Sequence, residues 1–274
     1  MMIGIICSSV DIASMNMFRF ISNEYDFEEN GGEKPYRRFT NDEVDLYLTD
    51  LPLIEADFVD DLCMDRAYFL SKHKSSSGKV SFTTHSTGNW GKGALFGGKP
   101  RKLSVAAPSY MRSILQSLFS LGLDRGVERT YEATHHGPLL RTPSLFIEFG
   151  GPESAIEDKG FAKALGKLAY SKIINDIDSI PDASKVVFGI GGSHYPERFT
   201  KLALEKDYAF SHIMPKHATA DEDGEENLIM LEEAAAKSGE ELDSCVIDWK
   251  GLNSEMRGKV IKCLEEMGLD YEKA

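Results

Sequence analysis

The sequence predicts an α/β fold with a mixed, largely parallel sheet and helices on both faces. Short apolar runs alternate with segments of helical periodicity along all 274 residues, and neither a repeat nor a long linker interrupts them. Strands that alternate with helices favour parallel pairing through crossover connections. We therefore predict one α/β domain that spans residues 1–274.

Local composition justifies each element in order. "IGIICSS" (residues 3–9) is typical of a buried first strand, and Asp11 is suited to cap the helix that follows. Pro108 fits the first turn of a later helix, while Gly239 and Gly268 are expected C-terminal caps. Another helix is expected to begin near Pro196. Further strands are predicted at residues 44–50, 66–73, 80–85, 129–136, 144–150, 185–192, 208–214 and 244–249, and helices at residues 12–22, 104–122, 159–177, 227–239 and 254–268.

Composition excludes several classes of protein. The chain is 42% hydrophobic and 27% charged, which is typical of a globular protein. Its net charge of −13 disfavours non-specific nucleic-acid binding but allows a local basic patch. No apolar run is long enough for a transmembrane helix or a signal peptide, so we expect a cytosolic protein without membrane contact. The four cysteines have no C-x-x-C spacing, which disfavours a zinc ribbon and a redox dithiol.

Most histidines follow or end predicted strands. If those strands are parallel, their imidazoles converge on one edge of the sheet, where sites form in α/β proteins. The two histidines of "THHGP" are adjacent on a predicted strand, so they are expected to point to opposite faces. The histidines in question are His73, His85, His135, His136, His194 and His212.

Two loops carry candidate binding groups. "TTHSTGNWG" places His85 near Asn89, whose amide could hold an oxyanion; the alternative is a polar turn. "GNWGKGALFGGKPRKL" is basic and contains aromatic residues, so it could contact phosphates and stack on an exposed base or sugar, or it is a solvated loop. The residues singled out in this basic stretch are Trp90, Lys92, Phe96, Lys99, Arg101 and Lys102.

Two further stretches carry chemistry. Glu148 lies in the apolar strand "FIEFGG", where a carboxylate could orient an imidazole or bind a metal, or face solvent instead. "GIGGSHYPERFT" lacks the spacing of a phosphate loop but offers glycine backbone, with Gly191 as a candidate for close approach to a ligand. His194 and Arg198 follow in that stretch, and "SHIMPKH" adds His212 and Lys216.

The sequence has no G-x-S-x-G, H-E-x-x-H or catalytic cysteine signature. Covalent catalysis is therefore unsupported, and attack by water, activated by a histidine base or a metal, fits these residues better.

Together, "TTHSTGNWG", "ATHHGP", "GIGGSHYPERFT", "YAFSHIMPKH" and "DWKGL" resemble the archaeal and plant type of D-aminoacyl-tRNA deacylase, and "IICSSVDIASMNM" and "GLDYEK" are similar to that family too. The resemblance implies hydrolysis of the ester between a D-amino acid and the terminal ribose of tRNA, which is a form of proofreading. It also implies a Zn²⁺ cofactor and a fold similar to peptidyl-tRNA hydrolases and nucleoside phosphorylases. The expected partner is tRNA, and the expected state is a monomer or small homo-oligomer.

Site residues are assigned by residue type within this resemblance. The candidate bases and metal ligands are His85, His136, Glu148 and His194. The candidate substrate-binding residues are Asn89, Trp90, Lys99, Arg101, Lys102, Gly191, Gly192, Arg198, His212 and Lys216. Which histidine is the base, whether a metal is needed, and what Ser193 and Glu197 do stay open.

Two other functions are compatible with parts of the pattern. A phosphorylase, or another enzyme that handles nucleosides or phosphate esters, would use the glycine loop and Arg198 for phosphate. A non-catalytic RNA-binding module would use the basic loop, but it leaves the histidines without a purpose.

Overall fold

The computed structural model describes residues 1–73, 78–122, 126–220 and 223–274. The strands within these residues are β1 (Ile3–Ser8), β2 (Glu28–Glu29), β3 (Tyr36–Thr40), β4 (Asp45–Thr49), β5 (Arg66–His73), β6 (Ser81–His85), β7 (Gly88–Asn89), β8 (Lys102–Leu103), β9 (Glu128–Tyr131), β10 (Ser144–Gly150), β11 (Lys185–Ile190), β12 (Tyr208–Met214), β13 (Ser244–Ile247) and β14 (Tyr271–Lys273). The α-helices are α1 (Ile12–Glu24), α2 (Pro108–Ser120), α3 (Glu153–Ile156), α4 (Lys159–Asn175), α5 (Glu197–Glu205), α6 (Lys216–Ala220), α7 (Met230–Ala236) and α8 (Ser254–Glu266). Short 3-10 turns lie at Leu53–Glu55, Asp57–Leu62 and Glu226–Ile229.

Two sheets hold most of these strands. The larger has the order β2-β3-β4-β1-β5-β10-β6-β9, and the smaller has the order β12-β11-β13-β14. In the larger sheet β4, β1, β5 and β10 are mutually parallel, whereas β6 runs antiparallel to β10. All neighbours in the smaller sheet are parallel. The predicted mixed, largely parallel α/β fold is confirmed.

Helices cover the two sheets unequally. Helices α1, α2 and α4 pack on the face of the large sheet that carries Ile5 and Leu70. On the opposite face, Phe69 and Phe146 pack under the first two 3-10 turns. In the smaller sheet, α5 packs with Val187 on one face while α7 and α8 cover the other. The candidate site lies over the face that carries Phe69 and Phe146, beside the contact of α5 with the edge strand β9, where Thr200 meets Thr130.

A shared core joins the two sheets. Buried apolar side chains of β1 and β5 belong to the same cluster as Phe210 of β12 and Val246 of β13. Burying apolar area of this kind contributes about 25 cal/mol per Å². The single-domain organisation of residues 1–274 stays a prediction, which this shared core favours. Among the described residues no helix is both long and apolar enough to cross a membrane.

Four of the five predicted helix-terminal residues behave as expected, among them Pro196, which directly precedes α5. Asp11 Oδ1 accepts hydrogen bonds from the backbone N–H groups of Ala13 and Ser14 at 3.0 and 3.1 Å, and Pro108 begins α2. Gly268 follows the cap of α8 with a φ of 66°. Gly239 is an exception, because it lies beyond the cap of α7; a Cβ there would come within 2.0 Å of the Ala106 carbonyl oxygen. Close backbone approach, not capping, explains this glycine.

Candidate active site

Five imidazoles and two carboxylates form one cluster over the face of the large sheet. Strand register places three of these side chains. Glu148 on β10 lies opposite Ser71 of β5 and Thr83 of β6. His73 is two residues after Ser71 on β5, and His85 is two residues after Thr83 on β6. Alternation along each strand therefore directs the three side chains to the same face. Loops supply the remaining members. The cluster comprises His73, His85, Glu132, His135, His136, Glu148 and His194.

The expected convergence on one edge of the sheet is wrong in its geometry. Strand β6 runs antiparallel to β10, so the end of β6 lies beside the beginning of β10, where His85 is opposite Phe146. The imidazoles meet over the sheet face instead of beyond its carboxyl edge. Glu148, at the middle of β10, lies between His73 and His85 for this reason.

The expectation that His135 and His136 face opposite ways is also wrong. Strand β9 ends at Tyr131, and His136 adopts a φ of 44°, which breaks the alternation of a strand. The two rings lie 4.3 Å apart, and both contact the ring of His85, at 4.4 and 5.0 Å. Backbone irregularity thus turns both imidazoles into the cluster.

Glu148 is buried and interacts with three imidazoles. Its Oε2 lies 3.2 Å from His73 Nδ1, and its Oε1 lies 3.7 Å from His85 Nε2 and 4.0 Å from His136 Nε2. A carboxylate buried to this degree requires such partners. Glu148 therefore orients imidazoles, one of the two roles that the sequence suggests for it.

Glu132 is a second buried carboxylate, which the sequence does not single out. His73 and His135 are predicted at the sheet edge but not among the candidate bases and ligands. Its Oε2 lies 2.9 Å from His194 Nε2 and 3.6 Å from His135 Nε2, and its Oε1 lies 3.2 Å from His73 Nδ1. Within the described ranges neither oxygen has a hydrogen bond of good geometry, despite these short distances. An acidic residue three positions before the paired histidines of "EATHH" is the signal that identifies it.

The backbone orients three of the imidazoles. The Nδ1 atoms of His85, His135 and His136 lie 3.0, 2.9 and 2.6 Å from the carbonyl oxygens of Ser86, Ala133 and Gly137. If Nδ1 carries the proton and donates, Nε2 keeps its lone pair, as in imidazoles that bind metals. Nε2 of His85 has no hydrogen-bond partner in the part of the chain that the structure describes.

These groups fit a metal ion. Potential ligand atoms lie within 4.8 Å of one another in three sets: His85, His135 and His136; His73, Glu132 and His194; and His85, Glu132 and Glu148. The first set, with three nitrogens and backbone-bonded Nδ1 atoms, has the donor type that Zn²⁺ prefers at catalytic sites. All four predicted ligands are in the cluster, but no one set contains all of them. They are His85, His136, Glu148 and His194.

The histidines of the cluster have pKa values shifted in opposite directions. Burial and the charge of the neighbouring imidazoles lower the pKa of His135 well below 6.5 and that of His136 to about 4. Burial alone would also lower the pKa of His73 and His85, but contact with Glu148 outweighs it and raises both. Burial opposes ionisation of Glu148, yet the close imidazoles of His73 and His85 hold its pKa well below 4.5.

A cavity of about 300 Å³ opens onto the cluster, and we call it the histidine pocket. His135 and His194 lie in its wall beside Asn89, Trp90 and Gly91. The Asn89 amide nitrogen donates to the carbonyl oxygens of Gly97 and Lys99, at 2.9 and 3.3 Å.

The roles expected of Asn89 and Trp90 need correction. Both amide hydrogens of Asn89 are used to hold the following loop, so they do not stabilise an oxyanion. Trp90 is only 4% exposed, and its indole N–H donates to the Thr134 carbonyl at 3.0 Å. Burial leaves no ring face for stacking on a base, so Trp90 shapes the wall of the pocket instead.

The basic loop is largely neutralised by distant acidic residues, contrary to the expectation of a free tRNA contact. Arg101 lies 2.9 Å from Glu226, and Lys102 lies 3.4 Å from Glu233. Lys92 likewise contacts Asp223 at 2.6 Å. Lys99 is exposed, and no ion pair of it is found in the described ranges. Because its partners satisfy most of its charge, this loop is a weak candidate for binding phosphates.

The glycine loop lies at a second cavity. A Cβ on Gly191 would be 3.1 Å from Asp248 Cβ, so packing and a φ of 99° explain this buried glycine, and not approach to a substrate. Gly192, Arg198 and Lys216 line the second cavity, which is separate from the histidine pocket. The structure therefore divides the predicted substrate-binding residues between two neighbouring cavities.

His212 is a core residue, so its predicted role in substrate binding is wrong. Its side chain has no exposed surface, and its Nδ1 and Nε2 lie 3.3 and 3.2 Å from Thr134 Oγ1 and the Lys237 carbonyl. The ring lies on β12, in the smaller sheet, where inward residues are enclosed on both sides. The sequence could not distinguish this burial from a position at the mouth of a cavity.

Protonation of His212 is expected to destabilise the fold in acid. Burial lowers its pKa from 6.5 to about 4, so between these values the unfolded chain binds a proton that the folded chain excludes. This contribution to stability is complete above pH 6.5 and is lost as the pH falls towards 4. We expect a loss of about 2 kcal/mol between pH 7 and pH 5 from this residue. Urea unfolding of wild type and His212→Asn at both pH values tests it, and equal pH dependence in the two proteins would contradict it.

The comparisons with known proteins agree on one family. Residues 61–272 match the family model of D-aminoacyl-tRNA deacylase. The chain is 34% identical to the D-aminoacyl-tRNA deacylase of Pyrococcus furiosus and 35% identical to that of Pyrococcus horikoshii, with 98% of each chain covered in both cases. A crystal structure described as a conserved protein of unknown function superposes with a TM-score of 0.87 at 29% identity, covering 99% of this chain and 95% of the other. The chain belongs to the D-aminoacyl-tRNA deacylase family.

Proposed function

We propose that this chain hydrolyses the ester bond of D-aminoacyl-tRNA and releases the free D-amino acid and tRNA. Its substrate is a tRNA, and a cytoplasmic location would give it access to the aminoacyl-tRNA pool. The observation that carries the proposal is the pairing of His194 with Glu132 at the wall of the histidine pocket. His194 is a base that can reach an ester bound in the pocket. The buried carboxylate of Glu132 holds His194 in place and does not itself reach the ester.

His194 is the proposed general base. Because His194 Nε2 lies 2.9 Å from Glu132 Oε2, His194 Nδ1 is the nitrogen that remains to accept a proton from a water molecule in the pocket. The imidazole takes a proton as water attacks the ester carbonyl, and Glu132 stabilises the imidazolium that forms. The proton then returns to the ribose oxygen as the ester bond breaks. An aminoacyl ester is already labile, so this machinery need not supply a large reduction of the barrier.

We also propose that a zinc ion binds in the cluster, with His85, His135 and His136 as ligands. Burial keeps His135 and His136 neutral at pH 7, and the three Nδ1 atoms are held by backbone carbonyls. When bound, zinc would lower the pKa of a water molecule and polarise the ester carbonyl. Glu148, earlier a candidate ligand, instead orients His73 and lies beside His85.

Chirality has to be read by shape, because D and L esters differ only in the exchange of Cα–H and side chain. Glycines line the histidine pocket where a substrate side chain would lie. A Cβ on Gly91 would meet only Asn227 Nδ2, at 3.7 Å, so there is room for an added methyl group in the protein itself. Such a group would narrow the pocket.

Gly91→Ala is therefore expected to reduce kcat/KM for D-Tyr-tRNA by about tenfold and for D-Ala-tRNA by less than about threefold, since loss of space penalises the larger substrate. Gly258→Ala is the matched control, because a Cβ there meets nothing within 4 Å. Steady-state hydrolysis of both substrates gives the result. Equal losses for the two substrates would show that Gly91 does not border the bound amino acid.

One assay tests the proposed function itself. Purified protein is incubated with D-Tyr-tRNA and L-Tyr-tRNA, with and without a zinc chelator. Hydrolysis of the D ester alone, abolished by chelation and restored by Zn²⁺, supports both proposals. Equal hydrolysis of both esters excludes chiral selection, and full activity after chelation excludes the zinc.

A further inference from the structure

The second cavity adjoins the histidine pocket. It has a volume of about 500 Å³ and lies beyond the ends of β11 and β13. His194 and Pro215 line the histidine pocket, whereas the next residues along the chain, Tyr195 and Lys216, line the second cavity. The Tyr195 hydroxyl also lies 2.5 Å from His73 Nε2. The two cavities are therefore neighbours along the same two chain segments.

The second cavity carries an excess of positive charge, and we call it the cationic pocket. Four cations line it, together with two carboxylates, Glu197 and Asp248. Among the described residues, neither Lys216 nor Lys250 forms an ion pair. In a chain with a net charge of −13, this local excess favours an anionic ligand. The four cations are Arg198, Lys201, Lys216 and Lys250.

Asp248 adds an acceptor for a hydroxyl group. Its Oδ1 is buried and accepts no hydrogen bond from the described residues, since Arg198 Nε at 3.5 Å is poorly placed to donate. Asp248 follows β13, beside the Gly191–Gly192 turn that follows the neighbouring strand β11. A carboxylate beside a glycine turn is how doubly wound sheets hold a ribose hydroxyl next to phosphate.

We propose that the cationic pocket binds the penultimate nucleotide of the tRNA, with its ribose 2′-hydroxyl donating to Asp248 and its flanking phosphates contacting Lys201 and Lys250. This inference rests on the proposed function, because the terminal ribose carries the ester and must lie at the imidazoles. The preceding nucleotide then falls into the adjoining cavity. A free 2′-hydroxyl and two phosphates match the groups that this cavity offers.

The first test removes the two lysines. Lys201→Ala/Lys250→Ala is compared with Lys167→Ala/Lys262→Ala, which removes exposed lysines from α4 and α8. We expect KM for D-Tyr-tRNA to rise about tenfold or more, with kcat within about twofold, and the salt dependence of binding to lose about two charges. Hydrolysis of 2′(3′)-O-D-tyrosyl adenosine, which has no phosphate, should be unchanged. An unaltered KM for the tRNA, or an equal loss on both substrates, would overturn the proposal.

The second test removes the 2′-hydroxyl. A tRNA with a 2′-deoxy penultimate nucleotide should bind wild-type protein about five- to tenfold more weakly than the all-ribose tRNA, which corresponds to one hydrogen bond to a charged group. Asp248→Ala, which removes the acceptor, should bind both tRNAs equally. If the 2′-deoxy change in the tRNA and the substitution of Asp248 in the protein weaken binding independently, Asp248 does not contact that hydroxyl. In another outcome, inorganic phosphate displaces tRNA strongly from the wild-type protein but weakly from Lys201→Ala/Lys250→Ala, while the 2′-deoxy substitution has no effect. That result would indicate a site for free phosphate and would also count against the proposal.

These binding measurements use uncharged tRNA, so they do not depend on ester hydrolysis. Failure of the proposed function appears as wild-type protein that hydrolyses no D-aminoacyl-tRNA. Failure of the present inference appears as a protein that hydrolyses D-Tyr-tRNA but is insensitive to the lysine and 2′-deoxy substitutions.

Discussion

His194→Ala is expected to lower kcat for D-Tyr-tRNA by about 10²- to 10⁴-fold, the usual contribution of a general base. Its side chain is 39% exposed, so removal costs little packing and the fold should persist. Binding of uncharged tRNA should stay within about twofold, because the ring is proposed to act on water and not on phosphate. Single-turnover hydrolysis and tRNA binding measure the two effects separately.

Chemical rescue sharpens the test of His194. Added imidazole should restore part of the activity of His194→Ala, because a small base can occupy the vacated volume next to Glu132. Lys167→Ala, which removes an exposed side chain of α4 outside the walls of both cavities, is the control. Activity near wild type in His194→Ala would remove His194 from the role of base.

His135→Asn is expected to lose both bound zinc and activity. The substitution removes one nitrogen from the set formed by His85, His135 and His136, and a lost ligand typically weakens a metal site by orders of magnitude. We expect zinc content to fall from about one ion per chain to less than about a tenth and kcat to fall by at least about 10²-fold. Elemental analysis of dialysed protein and the hydrolysis assay provide the two readouts.

The control for metal loss is a second histidine of the same pocket. His217→Asn alters a residue that lines the histidine pocket but belongs to none of the three ligand sets among the described residues. It should retain zinc whatever its effect on turnover. Wild-type zinc content in His135→Asn would refute the assignment of His135 as a ligand, and similar zinc loss in both variants would show a general defect.

Local sequence predicted the elements well where the cause is local. The cap at Asp11 and the helix start at Pro108 depend on interactions within one turn, and the structure has both. Gly239 was assigned wrongly because its reason, the approach of the Ala106 carbonyl, lies more than a hundred residues away in the chain.

Tertiary contacts decided which candidate residues share a site. Nothing near Arg101 or Lys102 in the sequence shows that Glu226 and Glu233 will neutralise them. Nothing in "SHIM" distinguishes a core histidine from one at a cavity, yet burial on β12 settles the matter for His212. Long-range charge pairing and burial are properties of the packed chain.

By itself the sequence determined an α/β chain of this family with most of its histidines near strand ends, because periodicity, capping and motif order depend on neighbouring residues. The structure alone decided that Glu132 completes the cluster and that its imidazoles meet over a sheet face. The physical reason is the direction of one strand: antiparallel β6 brings His85 back along β10 towards Glu148, and the irregular chain after β9 turns two more imidazoles onto it.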